Sequence, residues 1–472
     1  MWRLSIQLFI VLAYIVLLFG ISFYVKRRAD KGSTEYLFAG RKLTAGLIAV
    51  NITGLAVGAA STVGVAERAV KVGISAGWYN AAWAVGALAM AFIAAGKYRS
   101  MKATTIPELF ERFYDTKGRL ISALGLVIIM LVITSLQYLA GGAILSALLP
   151  DIFSFKGGML TSAVVFIGIT LIGGLWSSGL ANVLSVILIY VGILYSTTTA
   201  LGNIGGMDVL VAKLPVGSDM LNPLSGLPLA LIIGQFVVMA TQALTAQGPV
   251  QIACGAKDAG TAKRGFIYGA MLIFPVGFLC ALLGLIGMVT YPGISATMAL
   301  PKVVMGLNPW AAGATLAAMW AADVSTACTI LLAAGTLFSQ DIYKRFLNPG
   351  VSDEKFVMVN RLSILVCGIV TLWFAFNAVG IVKTMLSGLS LTTPLTVVFL
   401  FTMFAPNLCK RSAAFYTTLV GLLSILAWNF IPSLHIFQDV IYLEWVACVI
   451  AFLVVYMVDP TPIKQPKMEG EA

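Results

Sequence analysis

The chain has 472 residues, of which 60% are hydrophobic and only 10% charged, against roughly 25% charged in an ordinary soluble domain. With a mean hydropathy of +0.97 it has too little polar surface to cover a water-soluble globule, so the apolar excess must face lipid. Six scattered cysteines without a CxxC pair and a single histidine exclude a disulfide scaffold and a histidine-built zinc site, and the net charge of +11 lies between apolar runs rather than on a basic face for nucleic acid.

A bilayer core of roughly 30 Å needs about 20 apolar residues per helix. Thirteen such runs follow in order, at 4–25, 43–69, 74–96, 120–149, 157–177, 180–204, 228–253, 266–291, 311–338, 359–382, 384–405, 412–432 and 439–458. The first ends on Lys26-Arg27-Arg28 rather than an A-x-A site, which marks a retained helix instead of a signal peptide. Of the 30 lysines and arginines, 23 fall in alternate loops on one side. Short basic loops stay cytoplasmic, so a multi-pass protein of the cell (inner) membrane is expected, with the N-terminus outside and, for an odd number of helices, the C-terminus in the cytoplasm.

The second run is interrupted at Asn51-Ile52-Thr53-Gly54, and Gly58, Ser61 and Thr62 follow. Backbone freed there must face something other than lipid. Between the third and fourth runs, Thr105 and Glu108 have capping-box spacing, Pro107 suits a first turn, and Ile106, Leu109, Phe110 and Phe113 share a face. They predict a short amphipathic helix bracing the cytoplasmic surface. The loops 205–227 and 292–310 are long enough to close over a cavity. The seventh run carries Thr241-Gln242 and then Thr245-Ala246-Gln247-Gly248-Pro249, where proline removes a backbone donor and breaks the helix. Two broken helices five apart predict inverted repeats around a midplane site, their unwound segments facing one another.

Several local pieces carry a resemblance: Ala39-Gly40-Arg41, Thr-Ile-Pro-Glu at 105–108, Gln247 to Gln251 with Ala256-Lys257-Asp258, and Val324-Ser325-Thr326 with Ser339-Gln340-Asp341-Ile342-Tyr343-Lys344. In this order and spacing the chain resembles the sodium/solute symporter family, the sodium-coupled glucose, proline and pantothenate carriers. The resemblance implies an all-α integral membrane protein of about 13 transmembrane helices, with leucine-transporter-like inverted five-helix repeats. The expected parts are an extra N-terminal helix with a cytoplasmic loop (1–42), a first repeat (43–204), an external loop (205–227), a second, inverted repeat (228–405), and two C-terminal helices with a short tail (406–472).

The resemblance also implies a Na+ ion held by the carbonyls of Ala49, Ile52 and Ala322 and the hydroxyls of Ser325 and Thr326. The set is chemically sensible, since sodium takes hard oxygen donors and residues 322, 325 and 326 share a helical face. By position a substrate site beside the breaks would use Asn51, Thr53, Ser61, Thr62, Tyr79, Asn80, Thr134, Gln137, Tyr138, Gln242 and Gln247, which are uncharged and suit a small polar or amphipathic organic solute.

The chain departs from the family pattern where an acid in a Thr-Asp-x-x-Gln context is replaced by Asn182 within Ala181-Asn182-Val183-Leu184-Ser185. Ile252 stands for a common arginine, and Ala327-Cys328 for a serine-rich turn that can support an additional sodium. One sodium per cycle is therefore expected, with Asp323 and Asn182 just behind its ligands. An unpaired carboxylate at position 323 costs at least about 2.5 kcal/mol in a membrane, so it should be protonated, paired or cation-bound. The sequence has no GxxxxGK[ST] signature and no nucleophile with a paired base. Neither an ATP-driven pump nor an enzyme is expected. The favoured function is sodium-coupled import of a small organic solute by alternating access; a proton-coupled carrier of the same fold and a non-transporting membrane sensor are the alternatives.

Overall fold

In lipid every backbone N–H and C=O must be paired within the protein, by helices or a closed barrel, and apolar runs of about 20 residues select helices. A computed structural model of the protein describes residues 2–58, 60–101, 104–215, 217–376, 388–435 and 437–464. Among them the only extended pairings are two isolated bridges, Leu43 with Ala256 and Lys410 with Pro462. The junction 377–387 of the expected tenth and eleventh runs and the tail beyond 464 lie outside the described residues.

Helix α1 (Trp2–Ala29) ends on Lys26, Arg27 and Arg28, cations suited to the negative end of a helix dipole. After the short α2 (Ser33–Phe38), the second run forms α3 (Ala45–Ala56) and α4 (Val65–Val72), separated by Val57, Gly58 and a π turn over Ala60–Gly64. The break thus lies beyond the expected Asn51–Gly54 segment, which is helical. Asn51 Nδ2 donates to Leu47 O at 2.7 Å and Thr53 Oγ1 to Ala49 O at 2.7 Å, so both side chains are satisfied by their own helix and interrupt nothing. The chain leaves the helix at Gly58, where an added Cβ would stand 2.6 Å from both Gln137 Oε1 and Thr326 Oγ1.

Gly73 (φ 66°, ψ −154°) turns the chain into α5 (Trp78–Ala89), which continues through a π turn into α6 (Ala95–Met101). The predicted amphipathic helix is α7 (Ile106–Phe113). Glu108 N donates to Thr105 Oγ1 at 3.1 Å, Thr104 N donates to Glu108 Oε2 at 3.3 Å, and Ile106, Leu109 and Phe110 are buried. Helix α8 (Thr116–Leu148) starts on an Asp115 cap that accepts from Gly118 N at 2.7 Å.

Helix α9 (Phe155–Asn203) has 49 residues, about twice a bilayer at 1.5 Å per residue, and covers the expected fifth and sixth runs. Gly174 (φ 53°, ψ −138°) divides it, a few residues before the expected boundary at 177–180. The Tyr36 carbonyl occupies the place of a Cβ at Gly174, so glycine alone fits both the dihedrals and the contact. Within the external loop lies α10 (Met207–Lys213); Met220 O accepts from Ile74 N at 2.7 Å and Pro223 O from Trp78 Nε1 at 2.7 Å, seating the loop on the start of the third run.

The seventh run breaks as α11 (Leu229–Thr245) and α12 (Gln247–Cys254), bent by 50° at Ala246 (φ −69°, ψ 140°). Pro249 lacks an N–H and would clash with a carbonyl one turn back, and it stands in the first turn of the new helix, where neither costs anything. The second half continues with α13 (Ala259–Thr290), α14 (Ala299–Met305), α15 (Pro309–Leu337) and its π extension Phe338–Leu347, α16 (Asp353–Ala375), α17 (Thr393–Phe404), α18 (Ala413–Phe430) and α19 (Val440–Val458). Among the described residues eight helices are long and apolar enough to cross a membrane, nine with the bent pair counted as one span; Phe155–Asn203, Ala60–Met101 and Pro309–Leu347, of 49, 42 and 39 residues, each exceed one span, and Ala45–Ala56, Gly388–Phe404 and Ala413–Trp428 are shorter apolar helices over expected runs. At the centre α3 packs on α9, α13 and α15, and α12 touches both α3 and α15, so the two broken helices meet beside α15.

Candidate ion and solute site

Because α3 stops at Ala56, its last-turn carbonyls lose their intrahelical partners. The carbonyl of Gly54 is taken by α15 instead: Ser325 Oγ donates to it at 3.0 Å and Thr326 Oγ1 at 2.7 Å. Ser325 Oγ also donates to Ala322 O of its own helix at 2.8 Å, so two of the expected ligand oxygens meet α3 at Gly54 and the third lies beside Ser325. The residues are 0–1% exposed, where a bare polar group is costly and a set of hard oxygens is suited to a dehydrated cation. Gly54, which sequence reasoning did not single out, supplies the carbonyl there. Its signal was positional only: it follows the Asn-Ile-Thr segment and stands four residues before Gly58. Ala49 O accepts the Thr53 hydroxyl, and the Ile52 side chain packs on Gly269 of α13.

Asn182 on α9 backs this point. Its Nδ2 donates to Asn51 Oδ1 at 3.1 Å, and an added Cβ on Gly54 would stand 2.6 Å from its Cγ. Thr329 Oγ1 donates to Ser325 O at 3.0 Å and is hydrogen-bonded to Ser178 of α9 at 2.8 Å, which fixes the α15 turn from its other side. Asp323 is fully buried, and neither of its carboxylate oxygens has a hydrogen-bond partner. Glu444, the other deep acid, accepts from Thr393 at 3.3 Å.

Beside the breaks lies a small cavity with room for about one water molecule, lined by Leu55, Trp83, Met130, Ile133, Gln242, Ala246, Gly248, Pro249, Ile330 and Leu389. Of the eleven residues expected to meet solute, only Gln242 is on this wall; it is 4% exposed and its Oε1 has no partner. The others sit elsewhere for identifiable reasons. Thr53, Ser61, Thr62 and Thr134 bond back to carbonyls of Ala49, Ala56, Gly58 and Met130. Asn51 is held by Leu47 O and Asn182, Gln247 donates to Thr104 O at 3.0 Å, and Tyr138 reaches Gly368 O at 3.4 Å. Gln137 stands with Thr326 over Gly58, Asn80 packs against Gly277 of α13, and Tyr79 is buried without a hydroxyl partner. Sequence reasoning looked for polar side chains, whereas the wall is mostly apolar; Trp83, one turn after Tyr79, was the nearest available signal.

At the start of α8 two of the motif pieces meet. Arg119 of α8 is 2.6 Å from Glu111 of α7 and 2.8 Å from Asp341 in the extension of α15. Thr105 Oγ1 donates to Asp341 at 2.9 Å, and Arg345 pairs with Glu111 at 2.7 Å. Burial alone raises the Glu111 carboxyl, but bonds from Arg345, Arg119 and Thr116 outweigh it and hold it down at about 2. The cluster ties α7 and α8 to the helix that carries Ser325 and Thr326.

Known proteins match this architecture along most of its length. The model of the Sodium:solute symporter family matches residues 36–421. Similar relatives include the symporter YidK of Escherichia coli K12, 26% identical with 96% of this chain and 83% of that protein covered. The sodium/glucose cotransporter of Vibrio parahaemolyticus is 26% identical with 77% and 74% covered. Among solved structures, a Na+-coupled sialic acid symporter in a substrate-bound outward-open state superimposes with a TM-score of 0.81 at 18% identity, covering 98% of this chain and 99% of that one. The nucleobase-cation-symport-1 family transporter Mhp1 shares the fold at a TM-score of 0.60 and 15% identity, with 90% and 93% covered. A leucine-transporter-like helical fold, broken helices meeting at its centre and a family match over most of the sequence lead to one conclusion: the chain belongs to the sodium:solute symporter family and is a sodium-coupled symporter.

Proposed function

We propose that the protein imports a small organic solute by alternating access, with one sodium ion bound where α3 and α15 cross and the solute carried beside the two breaks. The observation that carries this reading is the convergence of Ser325 and Thr326 on the carbonyl freed at Gly54, with the Ala322 carbonyl beside Ser325. Two hydroxyls donating to carbonyl oxygens rotate their hydrogens away when a cation arrives, and the same oxygens then become ligands. Ala49 and Ile52 complete the set from α3, Asn182 orients it through Asn51, and Asp323 supplies negative charge nearby. The lysine- and arginine-rich loops support an orientation in a cell membrane with those loops, the Glu111 cluster and the C-terminus in the cytoplasm and the N-terminus outside.

The energetics suit a neutral cargo. A tenfold sodium gradient supplies about 1.4 kcal/mol and 100 mV about 2.3, enough for roughly 500-fold accumulation with one ion. Support for solute transport as such comes from relatives named for glucose and proline. The test is sodium-dependent thermal stabilisation and counterflow with the full chain in proteoliposomes. Sodium should raise the melting temperature and potassium should not, and reversal potentials should give one sodium per solute. Stabilisation or flux that follows a proton gradient and ignores sodium would overturn the assignment.

A further inference from the structure

We propose that Glu444 is a proton-binding site separate from the sodium ligands, and that its neutral carboxyl is the hydrogen-bond donor by which the C-terminal helix α19 grips α17 beside the second break. The side chain is buried, Oε1 has no partner, and Oε2 meets only Thr393, at 3.3 Å. Thr393 has one hydroxyl hydrogen for two acceptors, and Ser390 O at 2.7 Å has the nearer claim. An ionised carboxylate would have the weak arm of that shared hydrogen as its whole support, far less than a buried charge needs. A neutral carboxyl instead turns its own O–H to the Thr393 oxygen, which has lone pairs to accept it. The surroundings also oppose a charge. No cation pairs with Glu444 among the described residues, and the charge that acts on it belongs to another acid, Asp439, which caps α19 by accepting from Ile441 N at 3.0 Å and itself faces Arg68 of α4. Cys448, one turn further on, is the other ionisable group that faces it. Of the helices packed on α19, α11 and α17 carry no ionisable side chain and α18 only Tyr416, which is half exposed.

The bond bears on the break through what α17 holds. One turn after Thr393, Thr396 donates to Thr241 O at 2.8 Å and, with its hydrogen placed there, accepts from Thr245 at 2.6 Å. Thr245 is the last residue of α11 before the kink at Ala246. Trp445, next to Glu444, donates from Nε1 to Thr241 Oγ1 at 3.3 Å. Helix α19 therefore holds the last turn of α11 directly through Trp445, and by way of α17 through Glu444. Loss of the proton leaves a bare charge in that seam and removes the donor that joins α19 to α17. Because the folded chain holds a proton that the unfolded carboxyl gives up, stability must fall as pH rises. The inference needs neither sodium nor solute and stands independently of the symport reading.

The purified full chain, Glu444→Gln and Glu444→Ala are melted without sodium between about pH 5 and 9. A glutamine amide donates to Thr393 as a neutral carboxyl does but has no proton to take up. Glu444→Gln should therefore melt above the unmutated protein, and the gap should widen with pH by up to about tenfold in the folding equilibrium per unit, or about 1.4 kcal/mol. Glu444→Ala, which donates nothing, should melt below Glu444→Gln at every pH. Infrared spectra at neutral pH give a reading that does not depend on stability: the carbonyl band of a protonated carboxyl should be present in the unmutated protein and missing from Glu444→Gln, with every other acid cancelling in the difference. A gap that stays constant with pH, a Glu444→Gln variant that fails to fold or melts no higher than Glu444→Ala, or an infrared difference that shows a lost carboxylate band instead would overturn the proposal.

Discussion

Ser325 and Thr326 spend their hydroxyl protons on the Gly54 carbonyl, at 3.0 and 2.7 Å. Replacing either by alanine removes one hard oxygen without changing the helix, so Ser325→Ala and Thr326→Ala should each raise the sodium concentration for half-maximal uptake while the melting temperature without sodium shifts little. Uptake in proteoliposomes with unchanged sodium activation in both would remove the site. Asp323 has no polar partner on either oxygen. Held ionised by a nearby cation, it should contribute about 1.4 kcal/mol to sodium binding, and Asp323→Asn should then raise the half-saturating concentration about tenfold. Unaltered sodium affinity in that variant would make it a buried protonated carboxyl. Gly54 was invisible to residue chemistry because its contribution is a carbonyl, which every residue has. Only the ending of α3 two residues later makes that carbonyl available.

At the scale of elements, the second break followed from a rule about proline, and the first depended on a neighbour. Pro249 removes a backbone donor wherever it stands, although Pro275 is carried inside α13, so its effect was legible in one dimension and was misplaced by only about a residue. At the first break Gly58 leaves the space that Gln137 of α8 and Thr326 of α15 take up, and no local pattern carries that information. Gly174 is a similar case. Its φ of 53° with ψ −138° and the Tyr36 carbonyl against it leave no room for a side chain. Gly174→Ala should cost about 1–3 kcal/mol in strain alone and lower the melting temperature measurably; a wild-type melting curve would contradict the close packing of α9 on α2.

The α7 cluster allows a prediction in pH. Glu111, held at about 2 by its arginine partners, has a folded value below its ordinary 4.5. Its contribution to stability is therefore present above about pH 4.5 and is lost as pH falls from there toward 2. Glu111→Gln should melt earlier than the unmutated protein at neutral pH, and the difference should shrink as pH is lowered through that window. A difference that stays constant with pH would show that the carboxylate's charge is not what binds α7 to Arg119 and Arg345.

For the whole molecule, the sequence by itself determined that the chain lives in lipid, that it is helical and that its seventh run breaks near Pro249. The family motifs it carries pointed to a sodium/solute symporter, and the family match over residues 36–421 agrees. These properties are summed along the chain or follow from single covalent facts: hydropathy over 20 residues, lysine counts in loops, a missing N–H. The tertiary structure alone decided that α3 ends at Ala56, that Gly54 faces Ser325 and Thr326, and that the cavity is walled by Leu55, Met130, Ile133, Ile330 and Leu389 with Gln242 as its one carboxamide. Polar residues read as solute contacts, such as Thr53, Thr62 and Thr134, instead satisfy carbonyls of their own helices. A hydroxyl in a membrane helix has that partner always within reach, whereas an acceptor on another helix exists only after packing has brought the two together. Composition therefore records that polar groups are present, and the fold decides which of them remain unspent.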